Sequence, residues 1–205
     1  MKKFALLLIG ICLASCSDKK TNVETENDSV SNDTIKYVPP KIIENAFEII
    51  PGERIGLTKL EENTETLLEL GKSDFSDAAM GKSWATWISK DDEKNELNIY
   101  STYKDSEMKE KVVRQIRITS PKFQTPNEIS TGKSLQEIQK AFPDIKLVAK
   151  YTDEKTKNLV EIHDSETNGI AFEFTQNECS AIIVHTKDKK VTEEYITLHP
   201  NMEKF

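Results

Sequence analysis

The chain has 205 residues, 37% hydrophobic and 31% charged, with 35 acidic against 28 basic side chains and a formal charge of −7. An acidic balance excludes nucleic acid as a partner, because phosphate binding needs clustered Lys and Arg. The three cysteines, Cys12, Cys16 and Cys179, are too few for a disulfide framework.

Lys2 and Lys3 precede an uncharged apolar run from Phe4 to Leu13, the layout of a secretory signal over residues 1–15. The run is shorter than the roughly 20 apolar residues that span a bilayer. The segment Leu13-Ala14-Ser15-Cys16 resembles the lipobox of bacterial lipoproteins. That resemblance implies cleavage before Cys16, a lipid on its thiol, and a membrane as partner. Several acyl chains on one residue hold far more firmly than one. Loss of Lys2 and Lys3 takes the formal charge from −7 to −9. Ser17, rather than an aspartate, follows Cys16, which points to the outer membrane; the periplasmic and the surface-facing side both stay open. With Cys12 removed and Cys16 acylated, Cys179 has no disulfide partner and reads as a packed strand-end residue.

Residues 16–40 are rich in Thr, Asn, Ser, Asp and Glu and close on Pro39-Pro40, the composition of a disordered tether. Its Asp28-Ser29-Val30 and Asp33-Thr34-Ile35 resemble the short O-glycosylation signal of Bacteroidota envelope proteins, which implies Ser29 and Thr34 as acceptors.

From residue 41 onward the chain is long enough for a substantial core, and a helix-then-strands pattern occurs twice. Leu60 to Gly71 reads as an amphipathic helix with Leu60, Leu67, Leu68 and Leu70 as its apolar positions. Ser134 to Pro143 reads as a second, with Ser134 and Glu137 as a capping box; Leu67 matches Ile138 and Leu70 matches Ala141. Strands are predicted at 83–89, 96–103 and 111–119 after the first helix, and at 147–151, 159–164, 169–175 and 180–186 after the second. Thr167-Asn168-Gly169 supplies a hairpin turn. The expected fold is α+β, two similar lobes at 41–125 and 126–205, each a short helix on a small antiparallel sheet. That layout resembles the tandem repeat of the β-lactamase-inhibitor protein and the single repeat of the small lipoprotein of the outer-membrane barrel-assembly machinery. The resemblance implies a binding surface rather than an enzyme, with no binding residue carried over.

Gly-Lys-Ser occurs at 71–73, 81–83 and 132–134. A phosphate loop also needs a glycine five residues earlier, and those positions hold Thr66, Ser76 and Asn127. His163, His185 and His199, with Glu161 or Asp164, are the material for a metal site if strands brought them together, although no close ligand pair accompanies them. Trp84 and Trp87 are an odd number of residues apart, so they face opposite sides of one strand and only one can enter a one-sided core. The other, with Tyr100 or Tyr103 and Arg114 or Arg117, offers the residue types enriched at interfaces. Arg117 is expected at the surface.

The sequence therefore suggests a non-catalytic envelope lipoprotein, a binding module for a protein or envelope polymer, with no cofactor and no bound metal. The alternative is a metal-dependent or hydrolytic envelope enzyme built on the histidine-bearing second half.

Overall fold

The computed structural model describes residues 45–193 and 201–205, all within one compact unit, 42–205. Three short strands, β1 (Ile49–Ile50), β2 (Arg54–Ile55) and β3 (Thr58–Lys59), lead into a 3-10 turn at Thr64–Leu70. Four strands follow: β4 (Phe75–Ala79), β5 (Lys82–Ile88), β6 (Glu96–Tyr103) and β7 (Lys111–Ile118). Helix α1 (Leu135–Ala141) precedes β8 (Lys146–Thr152), β9 (Leu159–Ser165), β10 (Ile170–Thr175) and β11 (Glu178–His185), with β12 (Glu203–Lys204) last.

Strands β4 to β12 form one antiparallel nine-stranded sheet in the order β12-β8-β9-β10-β11-β7-β6-β5-β4, and β1 to β3 form a small sheet of their own. This corrects the two-lobed α+β expectation. The predicted lobes share one sheet because β11 pairs β7, with Ile182 opposite Ile118, Ile183 opposite Arg117 and Val184 opposite Ile116. A single hydrophobic cluster likewise takes Ile49, Ile99 and Ile116 from one half and Ile138, Phe172 and Ile182 from the other. The repeated helix-then-strands layout is thus a mostly β protein.

Only the second expected helix forms as such. The Ser134 hydroxyl accepts from Glu137 N–H while the Glu137 carboxylate takes Ser134 N–H at 2.9 Å and its hydroxyl at 2.7 Å. Those bonds from Ser134, with Lys133 beside it, hold the Glu137 carboxyl down to about 2. The helix buries Ile138 in the core. The first expected helix shrinks to the 3-10 turn, capped by Asn63 and stopped at Gly71, with none of its residues buried. Leu67 packs on the core, but Leu68 is 80% exposed.

Unforeseen in the sequence, β4 (Phe-Ser-Asp-Ala-Ala) has no β-branched residue to mark it. Its pairing is set by the tight Met80-Gly81 turn, where both φ values are positive (49° and 80°), as a two-residue hairpin requires.

Three irregularities bend the large sheet. Arg114 in β7 has no Cα partner between Val113 and Gln115, Val148 is skipped in β8, and Ser180 in β11. Each is an inserted residue that bends its strand and increases local twist. The Arg114 bulge also resolves the odd pattern of β7. It rephases the strand, so that Val113 lies on the same side as Ile116 and Ile118.

α1, the small sheet and the 3-10 turn cover one face of the large sheet, over Ile99, Ile116, Phe172 and Ile182. The other face carries Tyr151, Val160, Ile162, Ala171 and Ile183, with Val191 and Met202 of the C-terminal segment packed upon them.

Candidate functional site

The second face is where the sheet departs from a simple apolar floor. Alternation along β10 sends Ile170, Phe172 and Phe174 into the core and therefore Ala171 and Glu173 to the opposite side. Glu173 is nevertheless only 1% exposed. Arg117, two strands away on β7, grips it with both arms: Nε donates to Glu173 Oε1 at 3.0 Å and Nη2 to Oε2 at 2.7 Å. Its Nη1 donates to Asn98 Oδ1 at 2.7 Å and reaches Glu96 at 3.4 Å. Asn98 passes the chain on, giving Nδ2–H to Thr86 Oγ1 at 2.9 Å. At the other end Tyr151 donates its hydroxyl to Glu173 Oε2 at 3.2 Å. Tyr151, Glu173, Arg117, Asn98 and Thr86 thus form a row of bonded polar groups crossing the sheet from β8 to β5.

Over this row lies a cleft of about 590 Å³, walled by Trp84 on one side and by Tyr151, Val160 and the β8–β9 hairpin on the other. Six strand-to-strand steps separate β8 from β5 in the sheet order, roughly 29 Å in a flat sheet at about 4.8 Å per step. That both ends border one cleft reflects the curl that the bulges impose. The volume lies within the range of small-molecule sites, about 300–1,000 Å³.

The six residues singled out as an interface do not form one surface. Trp84 and Trp87 do face opposite sides of β5, but neither projects freely. Trp84 is 3% exposed and packs on Tyr100 and Met202. Trp87 is half-buried against the main core and donates its indole N–H to Gly71 O at 3.1 Å. It borders a separate apolar hollow with Leu70, Leu97, Ile118 and Phe123. Tyr100 is fully buried. Tyr103 lies under the Lys111 ammonium, 5.3 Å from its ring centre. Arg114 spans Thr102, the Lys104 carbonyl and the Glu61 carboxylate at the far end of the sheet. Arg117, expected at the surface, has a side chain only 15% exposed, because Glu173 offers it a partner inside. Of the six, Trp84 and Arg117 border the cleft.

The structure separates the residues considered for a metal. His163 shares the α1 side of the sheet with Glu161, 3.4 Å away, and stacks edge-on to Phe174. Asp164 and His185 meet on the other face, Asp164 Oδ1 at 2.9 Å from His185 Nε2. Asp164 Oδ2 accepts Val191 N–H at 2.8 Å, and Gln115 donates to Val191 O at 2.6 Å, so this group fastens the C-terminal segment to the sheet. Among the described residues no group of three or more His, Cys, Asp or Glu side chains is placed to hold a metal. Lys150 bonds Glu161 and, against some burial, holds its carboxyl below the usual range. Cys179 sits in the core, where burial pushes its thiol far up. Cys16, Ser29, Thr34 and His199 lie outside the described residues.

Asn98, Glu173 and Tyr151 were missed by sequence reasoning. Glu173 did carry a signal, a charge inside Ile-Ala-Phe-Glu-Phe, but its partner is set by the long-range β7–β11 pairing.

A mostly β protein with one curled sheet and a polar cleft is the class these elements define. No family model matches the sequence, and no curated protein matches it. A crystal structure of an extracellular protein containing a SCP domain, from Bacillus anthracis str. Ames, is similar at a TM-score of 0.38 and 12% identity, over 63% of this chain. The match spans only 44% of that protein's length, and likeness at this level carries no argument about fold or function.

Proposed function

We propose that the chain is a non-catalytic, lipid-anchored protein of the cell envelope, most simply of the outer membrane, and that it binds a protein or envelope component. The anchor rests on the lipobox-like Leu13-Ala14-Ser15-Cys16. The binding role rests on one observation, the cleft over the Tyr151–Glu173–Arg117–Asn98–Thr86 row. A buried ion pair contributes little to stability compared with apolar residues of similar volume. Retaining one beneath a cleft of ligand size is the arrangement expected of a site. Among the described residues no helix is long and apolar enough to cross a membrane, so attachment in this reading comes through the lipid.

Two measurements test the two parts. Cys16→Ala should abolish acylation and leave the chain unprocessed or released from membranes; unchanged membrane attachment and mass would remove the lipoprotein reading. For the cleft, Thr175→Arg places a long side chain into its mouth from a half-exposed position. Envelope components captured by the full chain should be lost with this variant while its melting temperature holds, and undiminished capture would move the binding surface elsewhere.

A further inference from the structure

The lining of the cleft also speaks to what it takes. Resting on the cleft as the binding site, we propose that its ligand is an uncharged, hydroxyl-rich chain, a saccharide, rather than an ion or a charged peptide.

Charge disfavours an ionic ligand. The floor holds ionised groups, but they are matched to one another. Both Glu173 oxygens accept from Arg117, at 3.0 and 2.7 Å, and Oε2 also accepts from Tyr151. Arg117 spends its remaining arm on Asn98 and Glu96. A ligand carboxylate or phosphate would have to displace Glu173, which is 1% exposed and held by Arg117 and Tyr151. A ligand ammonium would have to displace Arg117. Either exchange leaves a buried charge without its partner, the costliest outcome for such a pair. With Glu96 included, the lining carries four carboxylates, Glu96, Asp153, Glu154 and Glu173, against three cations, Lys94, Arg117 and Lys155, a near balance. Asp153 is further engaged by the N–H groups of Lys155 and Thr156 and by the Thr156 hydroxyl. No single-signed field is left to draw in an ion.

The rest of the lining is neutral. Thr119 just past β7, Thr156 and Asn158 of the β8–β9 hairpin, Thr175 of β10 and Ser180 of β11 line the cleft with neutral groups; the Thr156 and Ser180 protons go to Asp153 and the Glu173 carbonyl, so these two offer a ligand their oxygen lone pairs. Hydroxyls donate and accept alike, so they meet another hydroxyl without charge desolvation. Ser180 owes its place to the β11 bulge, which interrupts alternation where a regular strand would continue the ladder. The apolar wall of Tyr151 and Val160, with Trp84 opposite, suits the C–H faces of a sugar ring. Polar groups that converge on an otherwise apolar hollow are the usual means of orienting a small ligand.

The test is an amide-resolved NMR titration of the detergent-solubilised full chain. The neutral probes are chitotetraose, cellotetraose and maltotetraose, set against tetra-aspartate and tetra-alanine. Each is taken to about 10 mM, where even a site with Kd near 1 mM fills. At least one saccharide should shift the amides of Thr119, Thr175 and Ser180 and leave those around Trp87 in place. Ser180→Ala and Thr175→Val should each weaken that saccharide about fivefold, the loss expected for one neutral hydrogen bond, with the melting temperature of Thr175→Val unchanged and that of Ser180→Ala lowered at most by the loss of its bond to the Glu173 carbonyl. If a peptide shifts the cleft amides and no saccharide does, the ligand class is wrong and the cleft stands. If no probe moves a cleft amide, both this inference and the cleft reading fall.

Discussion

Beneath α1 the long strands present Ile99, Ile116, Phe172 and Ile182, while Asn98, Arg117 and Glu173 of the same strands point to the other side. Both sets are largely withdrawn from water, but by different physics. On the first face burial is held by apolar contact and close packing, which are non-directional and tolerate exchange among residues of equal volume. On the second, each group is buried only because a specific partner on another strand accepts or donates to it, and the loss of one member strands the next. The first face holds the protein together. The second costs stability to maintain.

Phe172→Ala is the sharpest probe of the first face. Phe172 is fully buried and its ring centre lies 5.3 Å from that of Phe142. Truncation should cost about 3–5 kcal/mol in denaturant unfolding, transfer loss plus cavity. A loss below about 1 kcal/mol would mean that this face is not the core.

On the second face the informative result is a pair of variants. Glu173→Ala leaves Arg117 facing a hole and should cost about 3 kcal/mol. Arg117→Met combined with Glu173→Leu removes both charges and should recover most of that loss, as apolar replacement of a buried pair commonly does. If the double variant is as unstable as the single one, the penalty comes from lost packing, and the contrast between the faces is weaker than drawn. The double variant should still lose binding in the cleft.

How much of this was legible follows from the range of each interaction. Strands β5, β6 and β7 and the four from β8 to β11 could be read from alternation, and α1 from the Ser134–Glu137 box, because those signals are local. The error of two lobes arose at β7 and β11, whose pairing joins residues far apart in the chain, from Ile118 with Ile182 to Gln115 with His185, and leaves no local trace. Arg117 was misplaced, and Glu173 missed, for the same reason. Each looks like a solvent-facing charge on its own strand, and only the sheet order brings them within 2.7 Å. Alternation along β7 is likewise no guide across Arg114, since an inserted residue changes the face of everything beyond it. Trp84 and Trp87 were correctly assigned to opposite sides, but both sides proved to be covered.

The smallest expected effect lies where a polar clamp interrupts the apolar side, at Asp144 between α1 and β8. Burial alone would raise its carboxyl, but hydrogen bonds from the Thr167 and Ser165 hydroxyls, with Asn168 nearby, outweigh it and hold the group below the usual carboxylate range. The bonds run at 2.6 Å from Thr167 and 2.8 Å from Ser165, so the ionised oxygens tie down the β9–β10 turn. A folded value below the unfolded one, about 3.9, means the carboxylate stabilises the fold at every pH above that value. The contribution fades as pH falls through the lower folded value. Asp144→Asn, which has no proton to gain, should therefore melt below the parent by roughly 2–4 °C at neutral pH, the shift for about 1 kcal/mol in a chain of this size. The gap should stay constant down to about pH 5 and close below about pH 4. A gap that persists unchanged into acid would assign the clamp to hydrogen-bond geometry alone, and one that widens there would reverse the sign argued for Asp144.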